Sequence, residues 1–188
     1  MRIDHMTQQT LKTLIAGYLG IILLSTAQAA TVQVDSEEGT FYLNLRFQSE
    51  LLPDALITLL TDYENLNQVN PAITKSEVIT PNNGNKKIVW KQIKGCITFF
   101  CRELEHTEYV TESENKITMM TIPEKSDFEM GHSSWMIMPG ATGSRVKFSS
   151  VLKPSFSLPP LIGNWLMKQK LRDELHQTAR LLGDIDAE

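Results

Sequence analysis

The sequence predicts an α+β fold in which an antiparallel sheet of about seven strands packs against one long C-terminal helix. Residues 73–152 contain short segments of alternating apolar and polar residues, separated by turns too short for crossover helices. Residues 160–185 instead repeat apolar side chains at three- and four-residue spacing. An apolar helix face and an apolar sheet face bury each other, which predicts one two-layer domain.

A strand and two short helices open this domain. Residues 40–47 alternate and predict a half-buried strand. Its apolar face consists of Phe41, Leu43, Leu45 and Phe47. Pro53 and Asp54 suit the first turn of a helix, where a missing N–H and a negative charge are both favourable. A second short helix follows and must end at Pro71.

Six further strands and the terminal helix complete the domain. The predicted strands cover residues 73–80, 86–93, 102–111, 116–122, 128–138 and 144–152. Short turns join them, so we expect a meander. The helix starts at Pro159 and Pro160 and runs to about residue 185. Its apolar face consists of Leu161, Trp165, Leu171, Leu175, Thr178, Leu182 and Ile185.

The N-terminal segment is typical of an export signal. Two basic residues precede an apolar run at 14–24, and an Ala-x-Ala site follows that would be cut after Ala29. The run is shorter than the ~20 residues that span a bilayer, although an uncleaved anchor stays an alternative. We therefore expect a signal peptide over 1–29, one domain over 30–188, and a periplasmic or secreted location.

Charge and cysteine content narrow the function classes. The formal net charge is −4 without any long basic run, which argues against nucleic-acid binding. Cys96 and Cys101 are the two cysteines, and in an exported protein such a pair indicates a disulfide. A bridge requires the chain to turn back between them; two reduced thiols on separate strands are the alternative. We expect no metal site, because no histidine lies nearby at ligand spacing.

Several segments together resemble a known superfamily. They are the opening strand to Pro53, residues 60–66 (Leu-Thr-Asp-Tyr-Glu-Asn-Leu), Asn70, Pro71, the cysteine segment 96–101, Trp135 and the proline-rich segment 154–163. In this order they resemble the START-like (SRPBCC, helix-grip) superfamily, closest to its polyketide cyclase/dehydrase and coenzyme Q-binding START domains. The resemblance covers residues 38–183.

The resemblance implies a helix-grip fold, in which a curved sheet wraps round the last helix and leaves an elongated apolar cavity. Members bind lipids, quinones, sterols or polyketide intermediates, and a few are enzymes. We therefore expect an exported monomer that binds or carries a hydrophobic small molecule, lipid or quinone-like, without a cofactor. Two alternatives stay open. One is a polyketide cyclase/dehydratase-like enzyme, which needs a titratable group facing the cavity. The other is an envelope protein-interaction module, which predicts a filled interior and an exposed patch centred on Phe156 and Leu158.

We predict a lining for this cavity from strand and helix alternation. The lining residues are Trp90, Met119, Phe128, Met130, Trp135, Ile137, Phe148, Trp165 and Leu166. Ordinary core packing is the alternative for each, and a one-residue register slip would exchange Met119 for Met120. Two polar side chains, Arg46 and His132, are candidates for gripping a ligand head group.

An apolar lid is predicted at the cavity mouth. Its residues are Phe156, Leu158, Leu161 and Ile162, stiffened by prolines. This lid could touch a membrane transiently when ligand is exchanged, or it could be an ordinary loop tucked under the sheet. No catalytic residue is predicted. Glu103 and Glu105 could be drawn as an acid–base pair, but surface carboxylates explain them better.

Overall fold

A computed structural model describes residues 30–80, 86–97, 100–157 and 163–185, so the predicted signal segment 1–29 lies outside the described residues. The strands are β1 Thr31–Glu37, β2 Thr40–Ser49, β3 Ile73–Thr80, β4 Lys86–Ile97, β5 Phe100–Ser113, β6 Lys116–Thr121, β7 Phe128–Pro139 and β8 Ser144–Pro154. The helices are α1 Pro53–Thr61 and α2 Gly163–Leu181. Short 3₁₀ turns lie at Leu66–Gln68 and Pro123–Lys125.

The eight strands form one antiparallel sheet in the order β1-β2-β8-β7-β6-β5-β4-β3. The chain order thus makes a meander from β3 to β8, and β2 closes onto β8. This arrangement, with α2 along the concave face, confirms the predicted α+β helix-grip fold.

Two local elements differ from the prediction. The sheet has one strand more than expected, because β1 pairs along β2 although only Val34 of β1 is fully buried. Because β1 has so few buried apolar side chains, its sequence shows little alternation, and the strand was not predicted. The expected second helix is a single 3₁₀ turn, in which Leu66 contributes a buried side chain to the core.

The C-terminal end of α2 is fixed to the end of β2 by backbone and side-chain hydrogen bonds. Ser49 Oγ donates to the Leu182 carbonyl at 2.6 Å, and the Glu50 N–H donates to the Gly183 carbonyl at 2.9 Å. Gly183 has a φ of 76°, in the left-handed region that favours glycine. Ser144 Oγ donates to the Leu51 carbonyl at 2.7 Å and closes the same end.

The cysteine pair forms the disulfide expected from the sequence. Cys96 of β4 and Cys101 of β5 are directly opposite in the hairpin register, with their Cα atoms 4.0 Å apart. Both strands extend through the pair, beyond the predicted ends at residues 93 and 102. In the described part of the chain, no helix is long and apolar enough to cross a membrane.

Candidate functional site

A cavity of about 290 Å³ lies between the concave face of the sheet and α2. Its walls are mostly apolar, and the tilted rings of Trp135 and Phe148, with centroids 4.4 Å apart, contribute to them. α2 contributes side chains at three- and four-residue spacing. They are Met167, Lys170, Leu171, Glu174, Leu175 and Thr178. The exposed side chain of Arg102 also lines the cavity, which therefore reaches the surface at this point.

Three ionisable side chains face the cavity from β4 and β5. His106 and Glu108 are two residues apart on β5, so both point to the concave face, and Lys91 of β4 is opposite His106 in the register. Lys91 Nζ donates to Glu108 Oε2, and Glu108 Oε1 lies 3.4 Å from His106 Nε2. The side chains are 12% exposed at Lys91, 3% at Glu108 and 6% at His106. We call Lys91, His106 and Glu108 the polar cluster.

Burial sets the charge of this cluster. Desolvation lowers the pKa of His106 to about 4, although the Glu108 carboxylate opposes the shift. Burial alone would raise the pKa of Glu108, but the charge and hydrogen bond of Lys91 outweigh it and hold that pKa below its ordinary value. At neutral pH the cluster thus consists of an ion pair and a neutral imidazole, with a net charge of zero.

A glycine makes room for the partner of His106. His106 Nε2 lies 2.8 Å from the Thr121 hydroxyl on β6, and its ring lies 4.6 Å from the Phe128 ring. A Cβ atom at Gly131 of β7 would lie 2.0 Å from Thr121 Oγ1. Any larger residue at Gly131 would therefore displace the threonine that holds the imidazole.

Further polar groups lie along the cavity walls, and each has a partner. The buried hydroxyls of Ser133 and Ser150 are 2.8 Å apart. On α2, Lys170 Nζ lies 3.3 Å from Glu174, whose pKa is raised by burial in spite of this lysine. Arg102 stacks over the Phe156 ring at 4.2 Å.

The sequence also matches a family model. Residues 53–177 match the family described as polyketide cyclase / dehydrase and lipid transport. The chain belongs to this family. No curated protein matches the sequence.

Solved structures of low sequence identity share the fold of this family member. A STAR-related lipid transfer protein from Xanthomonas axonopodis has a TM-score of 0.64 and 17% identity, with 83% of this chain and 92% of that chain covered. The lipid transfer and protein localization domain of human StarD13 has a TM-score of 0.60 and 10% identity, with 97% of this chain and 98% of that chain covered. The Zhui aromatase/cyclase from Streptomyces has a TM-score of 0.56 and 8% identity, covering 76% and 88%.

Four of the nine side chains predicted to line the cavity of this polyketide cyclase/dehydrase family member do so: Met119, Phe128, Trp135 and Phe148. The other five lie elsewhere. Ile137 is completely buried in the core outside the cavity, Trp165 is 69% exposed, and Leu166 is half-buried beside the cavity-lining Met167.

Trp90 and Met130 are displaced from the cavity by the local register. Val89 and Lys91 face the cavity, so Trp90 between them points to the convex face. A register shift between Phe128 and Met130 keeps Phe128 inside and leaves Met130 exposed.

The two predicted head-group residues are not in the cavity. Arg46 and His132 are both exposed, because their strand neighbours, Leu45 and Ser133 among them, point to the concave face. Of the predicted lid, Phe156 lines the cavity, while Leu158, Leu161 and Ile162 lie outside the described residues. Glu103 and Glu105 are exposed, as expected for surface carboxylates.

The sequence-based reasoning missed the polar cluster. Alternation in β5 places His106 and Glu108 on the same face as Leu104 and Val110, and this signal was readable. The partner Lys91 was not, because it depends on the register between two strands. In the described ranges, no group of three or more His, Cys, Asp or Glu side chains could hold a metal ion.

Proposed function

We propose that this chain is an exported domain that binds and carries a hydrophobic small molecule, lipid or quinone-like, in its cavity. The observation that carries this proposal is the cavity itself. Its walls are mostly apolar, and a few buried polar side chains interrupt them, as in small-molecule sites generally. Removing ligand surface from water would supply the affinity, at ~25 cal/mol per Å².

The size of the cavity limits what it can enclose. A volume of about 290 Å³ is at the lower end for ligand pockets. One water molecule occupies ~30 Å³ in the liquid, so the cavity volume corresponds to about ten water-sized groups. A compact ring system or part of an acyl chain fits this space. A longer ligand would have to leave its remainder at the mouth near Arg102 and Phe156.

Export is the second part of the proposal. The apolar run at 14–24, the cleavage site after Ala29 and the disulfide between Cys96 and Cys101 support it, since disulfides persist in oxidising compartments. Cell fractionation and the intact mass of the mature protein test it. We expect a periplasmic chain that begins at Ala30, and a cytosolic chain that retains Met1 would contradict export.

Carriage is tested by native mass spectrometry of the protein purified from its own periplasm. We expect a co-purified small molecule that organic solvent extracts. Ser133→Leu fills the cavity, whereas Ser134→Leu adds the same volume on the opposite sheet face and serves as the matched control. Wild type and the control should retain the ligand and the cavity-filled variant should lose it. A wild-type protein without any ligand, or equal retention by both variants, would contradict the proposal.

One observation favours a second candidate, a polyketide cyclase/dehydratase-like enzyme. The polar cluster supplies the cavity-facing titratable groups that such a reaction needs. However, an effective general base has a pKa near the working pH, and the pKa of His106 is about 4. The carrier function is therefore better supported than the enzymatic one. Turnover of a poly-β-ketone substrate that disappears in His106→Gln would instead establish the enzyme.

The third candidate is an envelope protein-interaction module with a filled interior. The interior holds a cavity, and Phe156 packs beneath Arg102 at its edge. No observation on the described residues favours this alternative.

A further inference from the structure

We propose that the polar cluster is a head-group subsite in which Lys91, held by Glu108, donates a hydrogen bond to a carbonyl oxygen of an uncharged ligand. The class of ligand is thus a neutral ketone or quinone with an apolar body, rather than a fatty acid or a pure hydrocarbon. This inference rests on the proposed carrier function and adds the chemistry of the ligand to it.

Unused hydrogen-bond donors are the first argument. The Lys91 ammonium has three N–H groups, and among the described residues its hydrogen bonding is to Glu108 alone. Its side chain is only 12% exposed and lines the cavity. A buried donor without an acceptor is costly, and its hydrogen bond to a ligand oxygen is charge-assisted and therefore strong. An oxygen acceptor in the cavity would satisfy it.

The charges around this donor are the second argument. Glu108 neutralises Lys91, and His106 is uncharged because burial lowers its pKa. A ligand carboxylate beside Lys91 would add a second negative charge next to Glu108 without a further cation in the cluster. A carbonyl group accepts the same hydrogen bond without this repulsion.

The remaining charged side chains of the cavity do not change this balance. Lys170 and Glu174 of α2 form an ion pair with each other. Arg102 is exposed at the mouth, where its guanidinium stacks on Phe156. The buried part of the cavity therefore provides hydrogen-bond donors without a net charge to bind an anion.

Three isosteric naphthalene derivatives test the inference, carrying a methyl ketone, an isopropenyl group or a carboxylate at the same ring carbon. Binding to the delipidated full-length mature protein is measured by calorimetry. We expect the ketone to bind about tenfold more tightly than the isopropenyl compound, since the hydrogen bond to a charged donor is partly offset by desolvation. The carboxylate should bind more weakly than the ketone.

Paired variants assign the preference to Lys91. Lys91→Met alone would leave Glu108 buried without its cation, so the test uses Lys91→Met/Glu108→Gln. We expect this variant to lose the preference for the ketone and to keep its affinity for the isopropenyl compound. The control is Lys87→Met/Glu112→Gln, because this Lys–Glu pair joins the same two strands outside the cavity lining. It should keep the preference.

An infrared measurement keeps the test independent of folding in the variants. The carbonyl stretch of the bound methyl ketone should shift to lower frequency in the wild type, relative to the ketone in hydrocarbon solvent. Equal binding of ketone and isopropenyl compounds, tightest binding of the carboxylate, or an unshifted carbonyl stretch would overturn the subsite while leaving the carrier function intact. Absence of binding by all three compounds would contradict both proposals.

Discussion

The two halves of α2 pack against the same sheet in different ways. In the C-terminal half, Leu175, Thr178 and Ala179 are buried, and Leu182 follows with no exposed surface. In the N-terminal half no side chain is fully buried, and Trp165 is largely exposed. We call these the closed end and the open end. Short hydroxyl side chains tie the backbone at the closed end, whereas the cavity extends along α2 from Met167 of the open end to Thr178.

Because of this difference, one part of the contact between α2 and the sheet contributes mainly to stability and the other mainly to ligand binding. Close-packed interiors stabilise a fold, and a cavity forfeits contacts that packing would have made. The closed end can supply the packing that the open end lacks. Substitutions at the two ends should therefore affect different measurements.

The largest expected effect is at the closed end. Leu182→Ala should lower the free energy of unfolding by about 2–5 kcal/mol, because a fully buried leucine leaves a cavity when it is truncated. Leu171→Ala on the cavity wall is the matched control, and it should cost less than half as much while changing ligand affinity. Chemical denaturation measures both. Equal costs would show that the two ends are packed alike.

The next effect is a pH dependence of stability that arises from ionisable side chains lining the cavity. Between pH 6.5 and about 4 the unfolded chain binds a proton at His106 that the folded chain does not, so stability falls as the pH falls through this window. The loss amounts to about 3 kcal/mol at 1.36 kcal/mol per pKa unit. The lowered pKa of Glu108 adds to the loss at still lower pH. The raised pKa of Glu174 acts in the opposite direction, since its cost develops as the pH rises above the ordinary glutamate value.

Denaturation midpoints at pH 7 and pH 4.5 measure this dependence, and His106→Gln should remove most of it. Hydrogen exchange should show β4 and β5 losing protection before the junction of Ser49 with Leu182, whose hydroxyl contact does not titrate. A pH dependence that survives in His106→Gln would contradict the assignment.

A smaller effect on stability is expected at Gly131, which lies against the threonine that contacts His106 of the polar cluster. Gly131→Ala should cost about 1–3 kcal/mol, because the new methyl group would overlap the Thr121 hydroxyl that contacts His106. Thr121→Ala removes this hydroxyl, so the alanine at position 131 should cost less in that background. A double-mutant cycle measures the coupling. Additive costs would show that the hydroxyl is not the obstacle.

The smallest effect on stability is expected at the start of α2. Trp165→Ala should change the free energy of unfolding by less than about 0.5 kcal/mol, because the side chain is 69% exposed. The thermal midpoint measures this change. A loss of more than about 1 kcal/mol would mean that the open end is packed more tightly than the structure shows.

Strand and helix periodicity were sufficient to predict seven of the eight strands, the terminal helix and part of the cavity lining. Met119, Phe128, Trp135 and Phe148 face inward as their alternation predicts. It failed at Trp90, because β4 carries apolar residues on both faces and alternation alone cannot choose between them. In the structure Lys91 faces the cavity and pairs with Glu108 of β5, a contact between strands that alternation within β4 does not show.

Other features depend on local irregularity and on the backbone as a whole. The shift that exposes Met130 is a break in register; the adjacent Gly131 is a residue type that often marks a bulge, but alternation does not show which side chains the break turns outward. The volume between sheet and helix follows from sheet curvature, which many residues determine together. Sequence patterns could therefore predict the fold and the common face of His106 and Glu108, but not the pairing of Glu108 with Lys91 on the neighbouring strand.

The C-terminal part of α2 is buried from Leu175 onward and hydrogen-bonded to the end of β2, so the preceding part of the helix could tilt about a pivot near Leu175. Leu175 is the first fully buried residue of the helix, and the rod from there to Gly163 is about 18 Å long at 1.5 Å per residue. A tilt of ~10° about Leu175 would move the N-terminal end of the helix by about 3 Å and would break the hydrogen bond that Arg172 donates to the Val34 carbonyl. Such a tilt would widen the space between α2 and the sheet for a ligand, while every strand of the sheet stays paired.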